Sequence, residues 1–236
     1  MIEEPTALTV NRARRRPSAA QIAGFQGVPT GFIVDALMGA GAMEVQICPV
    51  GDGRDFPCVA AGPALTVGNA PGDILGTLAS LEFLQPGDIV VSASGGYQGC
   101  ASGGDRVLGM MKNAGAAGFV SDGPLRDYTG IVEVALPAWC TGLTPASPFS
   151  TGPARVGLPI DIAGQRVSSG DMIVADLDGV VVVPFDQIDT VLARLPQITA
   201  LEAELDAKVA GGQRTSPKLG DLLTSARTAW VGDDPS

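Results

Sequence analysis

The feature that most constrains the fold is a succession of four segments between residues 85 and 122: an apolar run, a glycine-rich loop, a helical segment and a second apolar run. QPGDIVVSAS (85–94) predicts a turn that leads into a buried strand, and GFVSD (118–122) predicts another short buried strand. Residues 105–114 between them have helical spacing. Such a crossover is almost always right-handed and joins parallel strands. The sequence therefore predicts an α/β fold.

Composition narrows the classes of protein that this chain can belong to. Its 32 glycines and 18 prolines favour short elements joined by tight turns over a helical bundle. The net charge of −10 argues against nucleic acid as a partner and against binding to an anionic membrane surface. No apolar run has the length of a signal peptide or a membrane span, so we expect a cytoplasmic protein.

The four cysteines, Cys48, Cys58, Cys100 and Cys140, are well separated and form no CxxC motif. We expect them to be buried or idle thiols in a reducing compartment and not metal ligands.

The rest of the chain predicts a single domain over residues 1–236. The predicted elements are a short helix within 29–43, a strand over 58–68 that Gly-Pro interrupts, a helix over 72–84, a hairpin at Asp178-Gly179 and a long helix over 186–212. Residues 1–20 are expected to be an irregular lead-in, and 213–236 a loosely held C-terminal segment. We interpret the arginine-rich run at 12–16 as a solvated surface segment or a subunit contact.

Two loops follow the carboxyl ends of the predicted parallel strands, so they should line one edge of the sheet, where open α/β folds bind ligands. The first is the glycine-rich loop 95–104, which ends at Asp105, and the second is GPLRD (123–127). The amides at the helix start suit an anion, and Arg126 could grip the same group with two hydrogen bonds. Asp127 is a hard oxygen ligand of the kind that Mg²⁺ or Mn²⁺ prefers.

Each of these residues also has a simpler interpretation. An aspartate at a helix start, such as Asp105, is usually a cap. A Gly-Pro turn followed by Arg-Asp is commonly a surface turn with a local ion pair. The convergence of both loops on one sheet edge favours a functional site.

The same residues carry a resemblance to a known family. The pattern G-D-(nine residues)-G-A-A-G-F-V-S-D-G-P-L-R-D, over 104–127, resembles the RraA-like family, which includes metal-dependent aldolases acting on 4-hydroxy-4-methyl-2-oxoglutarate and 4-carboxy-4-hydroxy-2-oxoadipate. Further segments match that family in the same order: FIVDAL (32–37), AAGPALTV (60–67), PGDIVV (86–91) and GDMIVADLDGVVVVP (170–184).

The resemblance implies a role for each candidate residue. Asp127 would bind Mg²⁺ or Mn²⁺, Arg126 would hold the 2-oxo-acid end of the substrate, and Asp105 would orient or activate a water. Glu202 would reach the metal through water from a neighbouring subunit. The substrate carboxylate would meet the backbone amides of Gly104, Asp105, Arg106 and Val107. The implied fold is an α/β/β swivelling type with mixed sheets flanked by helices, assembled as homotrimers or homohexamers.

The chain departs from the family pattern at three places near the distal half of the pocket: Arg106, Pro124 and the loop GGYQGCASGG (95–104), which is more glycine-rich than the usual lead-in. Arg106 stands where the family usually has an apolar residue, and Pro124 replaces a small residue in the GPLRD turn. These departures leave the metal chemistry intact and bear on the choice of substrate.

Cleavage of a carbon–carbon bond beside a 2-oxo acid leaves an enolate, which an enzyme stabilises with a lysine Schiff base or a metal. The only lysines are Lys112, Lys208 and Lys218; Lys112 is expected well down a helix and the other two near the C-terminus, so the metal route is favoured. We expect a class II aldolase that releases pyruvate and also decarboxylates oxaloacetate. The alternative is a regulator of the RraA type that binds and inhibits a ribonuclease complex.

Overall fold

The computed structural model describes residues 5–232 and divides into two compact units, Met1–Leu195 and Pro196–Ser236. The strands are β1 (Leu8–Val10), β2 (Cys48–Pro49), β3 (Ala60–Asn69), β4 (Ile89–Ala93), β5 (Gly118–Ser121), β6 (Ala138–Cys140), β7 (Ala154–Val156), β8 (Ile160–Ile162), β9 (Gln165–Val167), β10 (Met172–Asp176) and β11 (Gly179–Val183). The α-helices are α1 (Ala19–Ala23), α2 (Thr30–Ala36), α3 (Leu75–Ser80), α4 (Asp105–Asn113), α5 (Tyr128–Val134), α6 (Ile188–Ala210) and α7 (Pro217–Leu223). Short 3-10 helices cover Val50–Gly53 and Phe185–Gln187.

A mixed sheet organises the first unit, with strand order β1-β7-β3-β4-β5-β6-β2 and with β10 and β11 joined to it through β3. Strands β8 and β9 form a separate antiparallel pair. The fold is therefore the expected mixed α/β arrangement of sheet and flanking helices.

The predicted strand-helix-strand unit is present as β4, α4 and β5. Strands β4 and β5 are parallel, and every residue in both is buried, as expected where helices cover a parallel sheet. Helix α4 packs inward through Val107, Leu108 and Met111, whose spacing places them on one face. This unit fixes the edge of the sheet at which both candidate loops emerge.

Strand β3 runs without a break through Gly62-Pro63, where the sequence predicted an interruption. Residues 60–63 pair antiparallel with β10, and residues 64–68 pair parallel with β4. Pro63 lies where the strand changes partner, so its missing N–H costs little. A Cβ on Gly62 would lie 2.2 Å from the carbonyl oxygen of Gly87, which explains the glycine at this close approach.

The N-terminal segment differs from the expected irregular lead-in. Leu8–Val10 forms β1, parallel to β7, and Leu8 and Val10 pack against the core. Arg14 and Arg16 both bind Asp88, whose side chain is fully buried. The interpretation of the arginine-rich run as a solvated segment is thus wrong for these two arginines, because a buried carboxylate must be compensated by charge and hydrogen bonds. Residues 1–4 lie outside the described part of the chain.

The predicted hairpin is present between β10 and β11, with Asp176 opposite Gly179. Gly179 has a φ of 136°, while Asp178 does not have the positive φ that a primed hairpin turn requires. Helix α6 continues through Pro196 without a break. In the second unit, α7 lies inside the segment expected to be loosely held, and residues 233–236 fall outside the described range. The single-domain organisation stays a prediction. Among residues 5–232, no helix combines the length and the apolar character needed to cross a bilayer.

Candidate functional site

The two candidate loops meet at the carboxyl-terminal ends of β4 and β5. Six of the seven residues expected to form the site line one small pocket of about 50 Å³: Gly104, Asp105, Arg106, Val107, Arg126 and Asp127. Ile74, Gly103 and Pro148 complete its wall. The parallel crossover explains this convergence, because it returns both loops to one edge.

Arg126 and Asp127 form the charged centre of the pocket. Their Nε and Oδ2 atoms are 3.2 Å apart, and the side chains are 36% and 47% exposed. Nη1 of Arg126 donates to Oγ of Ser147 at 2.7 Å, and its backbone N–H donates to the carbonyl of Gly103 at 3.2 Å. No hydrogen bond within residues 5–232 engages Nη2, so the guanidinium keeps donor capacity for a ligand.

Asp127 has an unusual backbone conformation at the start of α5. Its φ of 63° and ψ of 48° are left-handed, a region that aspartate visits more readily than most residues. Its carbonyl accepts the amide of Ile131 at 3.0 Å. The left-handed turn therefore sets the point from which its carboxylate projects, beside the guanidinium.

Gly104 lets the start of α4 approach this ion pair. A Cβ at position 104 would lie 2.8 Å from Oδ2 of Asp127 and 3.0 Å from Cγ of Arg126. The backbone there is extended, with φ of −159°, so the close approach and not the conformation requires a glycine. The absent side chain thus keeps the helix start beside the ion pair.

Asp105 is held between two helices. Its Oδ1 accepts the backbone N–H of Arg106 at 2.7 Å, which makes it in part a local cap. A Cβ on Gly130 of α5 would come within 2.4 Å of Oδ2, so Gly130 leaves room for the carboxylate. The amide of Arg106 thus already has an acceptor, while the amides of Asp105 and Val107 in the same first turn have none within the helix.

A second and wider pocket of about 270 Å³ shares the ion pair as a wall. It is lined by Arg126, Asp127, Tyr128, Leu143, Thr144 and Pro145. The loop between β5 and α5 is fixed to residues 142–144 by two backbone hydrogen bonds: Leu125 donates to Gly142 at 2.9 Å and Thr144 donates to Leu125 at 2.8 Å, which together form the parallel bridge between Leu125 and Leu143. The Arg126–Asp127 pair therefore forms part of the wall of both pockets.

A cavity of about 830 Å³ shares no lining residue with these two pockets. Its buried carboxylate, Asp122, already accepts hydrogen bonds from the backbone and hydroxyl of Ser94 and from the amide of Gly96, at 2.6 to 2.9 Å. Its arginine, Arg166, faces Asp161 at 3.3 Å. The carboxylate of Asp122 is thus occupied by its neighbouring loop, and none of the residues expected to form the site lines this cavity.

Sequence reasoning missed several residues that position the site. Asp122 holds the beginning of the glycine-rich loop, Ser147 orients Arg126, and Gly130 accommodates Asp105. The position of Asp122 at the end of GFVSD could have indicated its role, because polar residues at strand ends commonly bind the neighbouring loop. Nothing in the sequence linked Ser147 or Gly130 to the pocket.

The donor set at the pocket is compatible with a largely hydrated hard cation. Within residues 5–232, no cluster of three or more histidine, cysteine, aspartate or glutamate side chains could enclose a metal ion. Among the residues that the structure describes, Asp127 and Asp105 are the only carboxylates that line the pocket. Mg²⁺ commonly binds through one or two carboxylates and keeps several waters, which this set of donors can satisfy.

Glu202 is the expected residue that this pocket does not include. It lies on α6 within the second unit, and its side chain is half-buried. Its role as a ligand supplied by a neighbouring subunit stays a prediction.

Comparisons with known proteins identify the family to which the chain is similar. The family model RraA-like, described as Aldolase/RraA, matches residues 30–182. A protein of Halalkalibacterium halodurans named "Putative 4-hydroxy-4-methyl-2-oxoglutarate aldolase" is 38% identical over 173 residues, which cover 73% of this chain and 80% of that protein.

Two solved structures share the fold. An uncharacterized protein from Pseudomonas syringae pv. tomato has a TM-score of 0.74 at 22% identity, with 86% of this chain and 93% of that chain covered. Streptomyces coelicolor RraAS2, described as an unusual member of the RNase ES inhibitor RraA protein family, has a TM-score of 0.68 at 26% identity, with 83% and 98% covered. Fold and site thus define an α/β protein of the RraA architecture. On the extent of the family match, the chain belongs to the RraA-like family.

Proposed function

We propose that this protein is a divalent-metal-dependent class II aldolase that cleaves a 4-hydroxy-2-oxo dicarboxylic or tricarboxylic acid and releases pyruvate. The observation that carries the proposal is the Arg126–Asp127 pair, half-exposed in a pocket at the start of α4 with donor capacity unused. The similarity to a relative named for 4-hydroxy-4-methyl-2-oxoglutarate aldolase supports the same reaction class.

The free amides at the start of α4 bind the carboxylate of the 2-oxo acid. The positive end of the helix and the unpaired N–H groups of Asp105 and Val107 favour an anion there. Val107 is buried and its side chain anchors the helix in the core, so these donors are fixed before the substrate arrives.

Arg126 stabilises the negative charge that develops on the 2-oxo oxygen as the carbon–carbon bond breaks. Ser147 and Asp127 fix two sides of the guanidinium, so its free Nη2 is oriented in advance. Preorganised donors of this kind contribute on the order of 10²–10³ to the rate.

Asp127 would hold the divalent cation, which would supply Lewis-acid stabilisation of the developing negative charge. Asp105, confined by Gly130, positions a water that takes the proton from the 4-hydroxyl group and returns one to the pyruvate enolate. The same stabilisation of an enolate predicts decarboxylation of oxaloacetate as a second activity.

Arg106 supports a substrate with a second carboxylate. Its side chain is exposed and lines the narrow pocket, which brings a second guanidinium to the site. Within the described residues, its guanidinium makes no hydrogen bond or ion pair. A distal carboxylate would supply the missing partner.

The direct test is pyruvate release from 4-hydroxy-4-methyl-2-oxoglutarate, 4-carboxy-4-hydroxy-2-oxoadipate and oxaloacetate, each with Mg²⁺ or Mn²⁺ and with a chelator. We expect metal-dependent release from at least one of the two aldol substrates. Turnover that persists in the chelator, or no turnover of any oxo acid, would contradict the proposal. We also propose that the active form is a homotrimer or homohexamer, which sedimentation analysis can test.

The similarity to RraAS2 favours a second candidate function, a non-catalytic regulator that binds and inhibits a ribonuclease complex. The two candidates make opposite predictions. Capture of a ribonuclease complex, together with no Mg²⁺ or Mn²⁺ binding by calorimetry, would favour the regulator. Metal binding that Asp127→Ala removes would favour the enzyme.

A further inference from the structure

Two cysteines that are far apart in sequence face each other across a strand pair. Strands β2 and β6 are antiparallel, and their register places Cys48 directly opposite Cys140. Residues in this relation project their side chains to the same side of the sheet. The sequence alone gave no sign of the pairing, because no short motif links the two positions.

The ladder geometry suits a covalent link. Directly opposed residues in an antiparallel pair have Cα atoms about 4.5 or 5.5 Å apart, depending on their place in the hydrogen-bond pattern. Disulfides span Cα separations of about 4.4–6.8 Å. Both kinds of position fall inside this Cα range, and the Cβ atoms, about 4.5–5.5 Å apart in such pairs, must approach to about 3.5–4.5 Å for the bond to form.

The two thiols differ in exposure and in pKa, and these differences determine which one reacts first. Cys48 lies on the last strand of the sheet path and is exposed, whereas Cys140 is 3% exposed. Burial raises the pKa of Cys140 to about 11, so this thiol stays protonated near neutral pH. An oxidant from solution therefore meets Cys48 first.

We propose that Cys48 and Cys140 form a reversible, peroxide-dependent disulfide within one chain. The thiolate of Cys48 attacks the O–O bond of a peroxide, which yields a sulfenic acid and, from hydrogen peroxide, one water. Cys140 then attacks the sulfur of Cys48, the S–O bond breaks, and a second water leaves as the disulfide forms. A dithiol reductant restores both thiols by exchange.

The position of Cys140 gives this modification a structural consequence. In the reduced protein its Sγ donates to the carbonyl of Gly142 at 3.2 Å, and the same carbonyl accepts the amide of Leu125 at 2.9 Å. Leu125 directly precedes the Arg126–Asp127 pair. Oxidation removes the S–H donor beside the loop that carries the ion pair. The inference rests on the β2–β6 register and is independent of the proposed function.

The test is treatment of the full-length protein with a small excess of hydrogen peroxide, then alkylation and peptide mass spectrometry. We expect a linked peptide containing Cys48 and Cys140, protection of both thiols from alkylation, and full reversal by dithiothreitol. We expect thermal unfolding of the oxidised protein at a Tm higher by roughly 5 °C. Cys100 is the internal control, because it is buried and free and should remain a thiol.

Cys48→Ser is the matched variant, because Cys48 is exposed and its substitution should leave the fold intact. This variant should show neither the Cys48–Cys140 link nor the increase in Tm. Cys140→Ser, checked for folding by circular dichroism, should leave Cys48 as a sulfenic or sulfinic acid. The proposal is overturned if peroxide drives Cys48 to sulfinic acid in the wild-type chain, if Cys48 links only between chains, or if Cys140 pairs instead with Cys58.

Discussion

Two of the arginine–aspartate groupings, the one around Asp88 and the one around Asp127, combine the same residue types and differ in burial and in hydrogen bonding. Around Asp88, which is fully buried, Arg14 and Arg16 are 9% and 30% exposed and both contact the carboxylate. Around Asp127, the single partner Arg126 is 36% exposed and the carboxylate 47%.

The difference lies in how much hydrogen-bonding capacity is already used. Asp88 also accepts the amide of Gln85, while Arg14 and Arg16 also donate to the carbonyls of Phe83 and Pro86. The Asp88 cluster thereby ties the N-terminal segment to the turn before β4. The Arg126–Asp127 pair keeps a free Nη2 and faces two pockets, so its remaining capacity is available to a ligand. A charged cluster whose hydrogen-bonding capacity is already used is structural. A pair that keeps an unused donor beside a pocket is a candidate site.

The largest expected effect on stability is at Asp88. Asp88→Asn leaves two arginines without their counter-charge, and breaking a buried pair in this way costs about 3–5 kcal/mol in the free energy of unfolding. Urea denaturation measures the loss. Asp186→Asn removes the partner of Arg15 at an exposed site and is the matched control, with stability expected close to wild type. If the two variants were equally stable, the Asp88 cluster would not be structural.

Substitutions of Arg126 and Asp127 should have the opposite effect. They should lower the activity and leave the free energy of unfolding close to that of the wild type. Arg126→Lys should lower kcat by roughly 10²–10³, because the ammonium cannot reproduce the fixed fork that Ser147 and Asp127 orient. Asp127→Asn should abolish activation by Mg²⁺ or Mn²⁺. Steady-state pyruvate release and urea unfolding, measured on the same samples, separate the two effects. A large fall in stability for either variant would show that this pair resembles the Asp88 cluster after all.

A smaller effect on activity is expected from the substitution of Arg106. It tests whether this second guanidinium binds the distal carboxylate of the substrate. Arg106→Leu should raise KM for a dicarboxylic substrate about tenfold or more, since a charged hydrogen bond contributes roughly 1.5–3 kcal/mol. Oxaloacetate and a 4-hydroxy-2-oxo acid without a distal carboxylate serve as comparison substrates, and the latter should be unaffected. An equal rise in KM for that acid would remove Arg106 from substrate selection.

The smallest effect concerns Asp73, a buried carboxylate behind the pocket wall. Burial would raise its pKa, but hydrogen bonds from the amides of Leu75, Thr151 and Gly152 outweigh burial and lower it. A depressed pKa stabilises the fold above the ordinary aspartate value near pH 4, and this contribution is lost as pH falls through the lower, folded-state pKa. Asp73→Asn should cost about 1–3 kcal/mol at pH 7.

Denaturation from pH 5 to pH 2.5 checks the sign of this effect. The difference in unfolding free energy between wild type and Asp73→Asn should shrink toward the acid end of the range. A constant difference across the range would mean that the charge of Asp73 contributes nothing.

Local patterns in the sequence predicted the parts of the molecule that local physics determines. The apolar runs and helical spacing identified β4, α4 and β5, and the rule for parallel crossovers then brought residues 104–107 and 126–127 to one edge. The hairpin at Asp176–Gly179 followed from its flanking apolar strands.

Contacts between distant residues left no such signal. Arg14 and Asp88 are 74 positions apart, so the sequence could not distinguish a buried partner from a solvated arginine. The continuity of β3 through Pro63 depends on a change of strand partner, and the opposition of Cys48 and Cys140 depends on the register of an edge strand. Strand register and long-range charge pairing come from the assembled sheet and cannot be read from a short window.

A pocket of about 50 Å³ and one of about 270 Å³ share the Arg126–Asp127 pair in their walls, and this has a consequence for ligand length. If one ligand fills both pockets, the length of its fragment in the smaller pocket determines which of its bonds lies beside the guanidinium. Extending that fragment by one carbon would then place a different bond there.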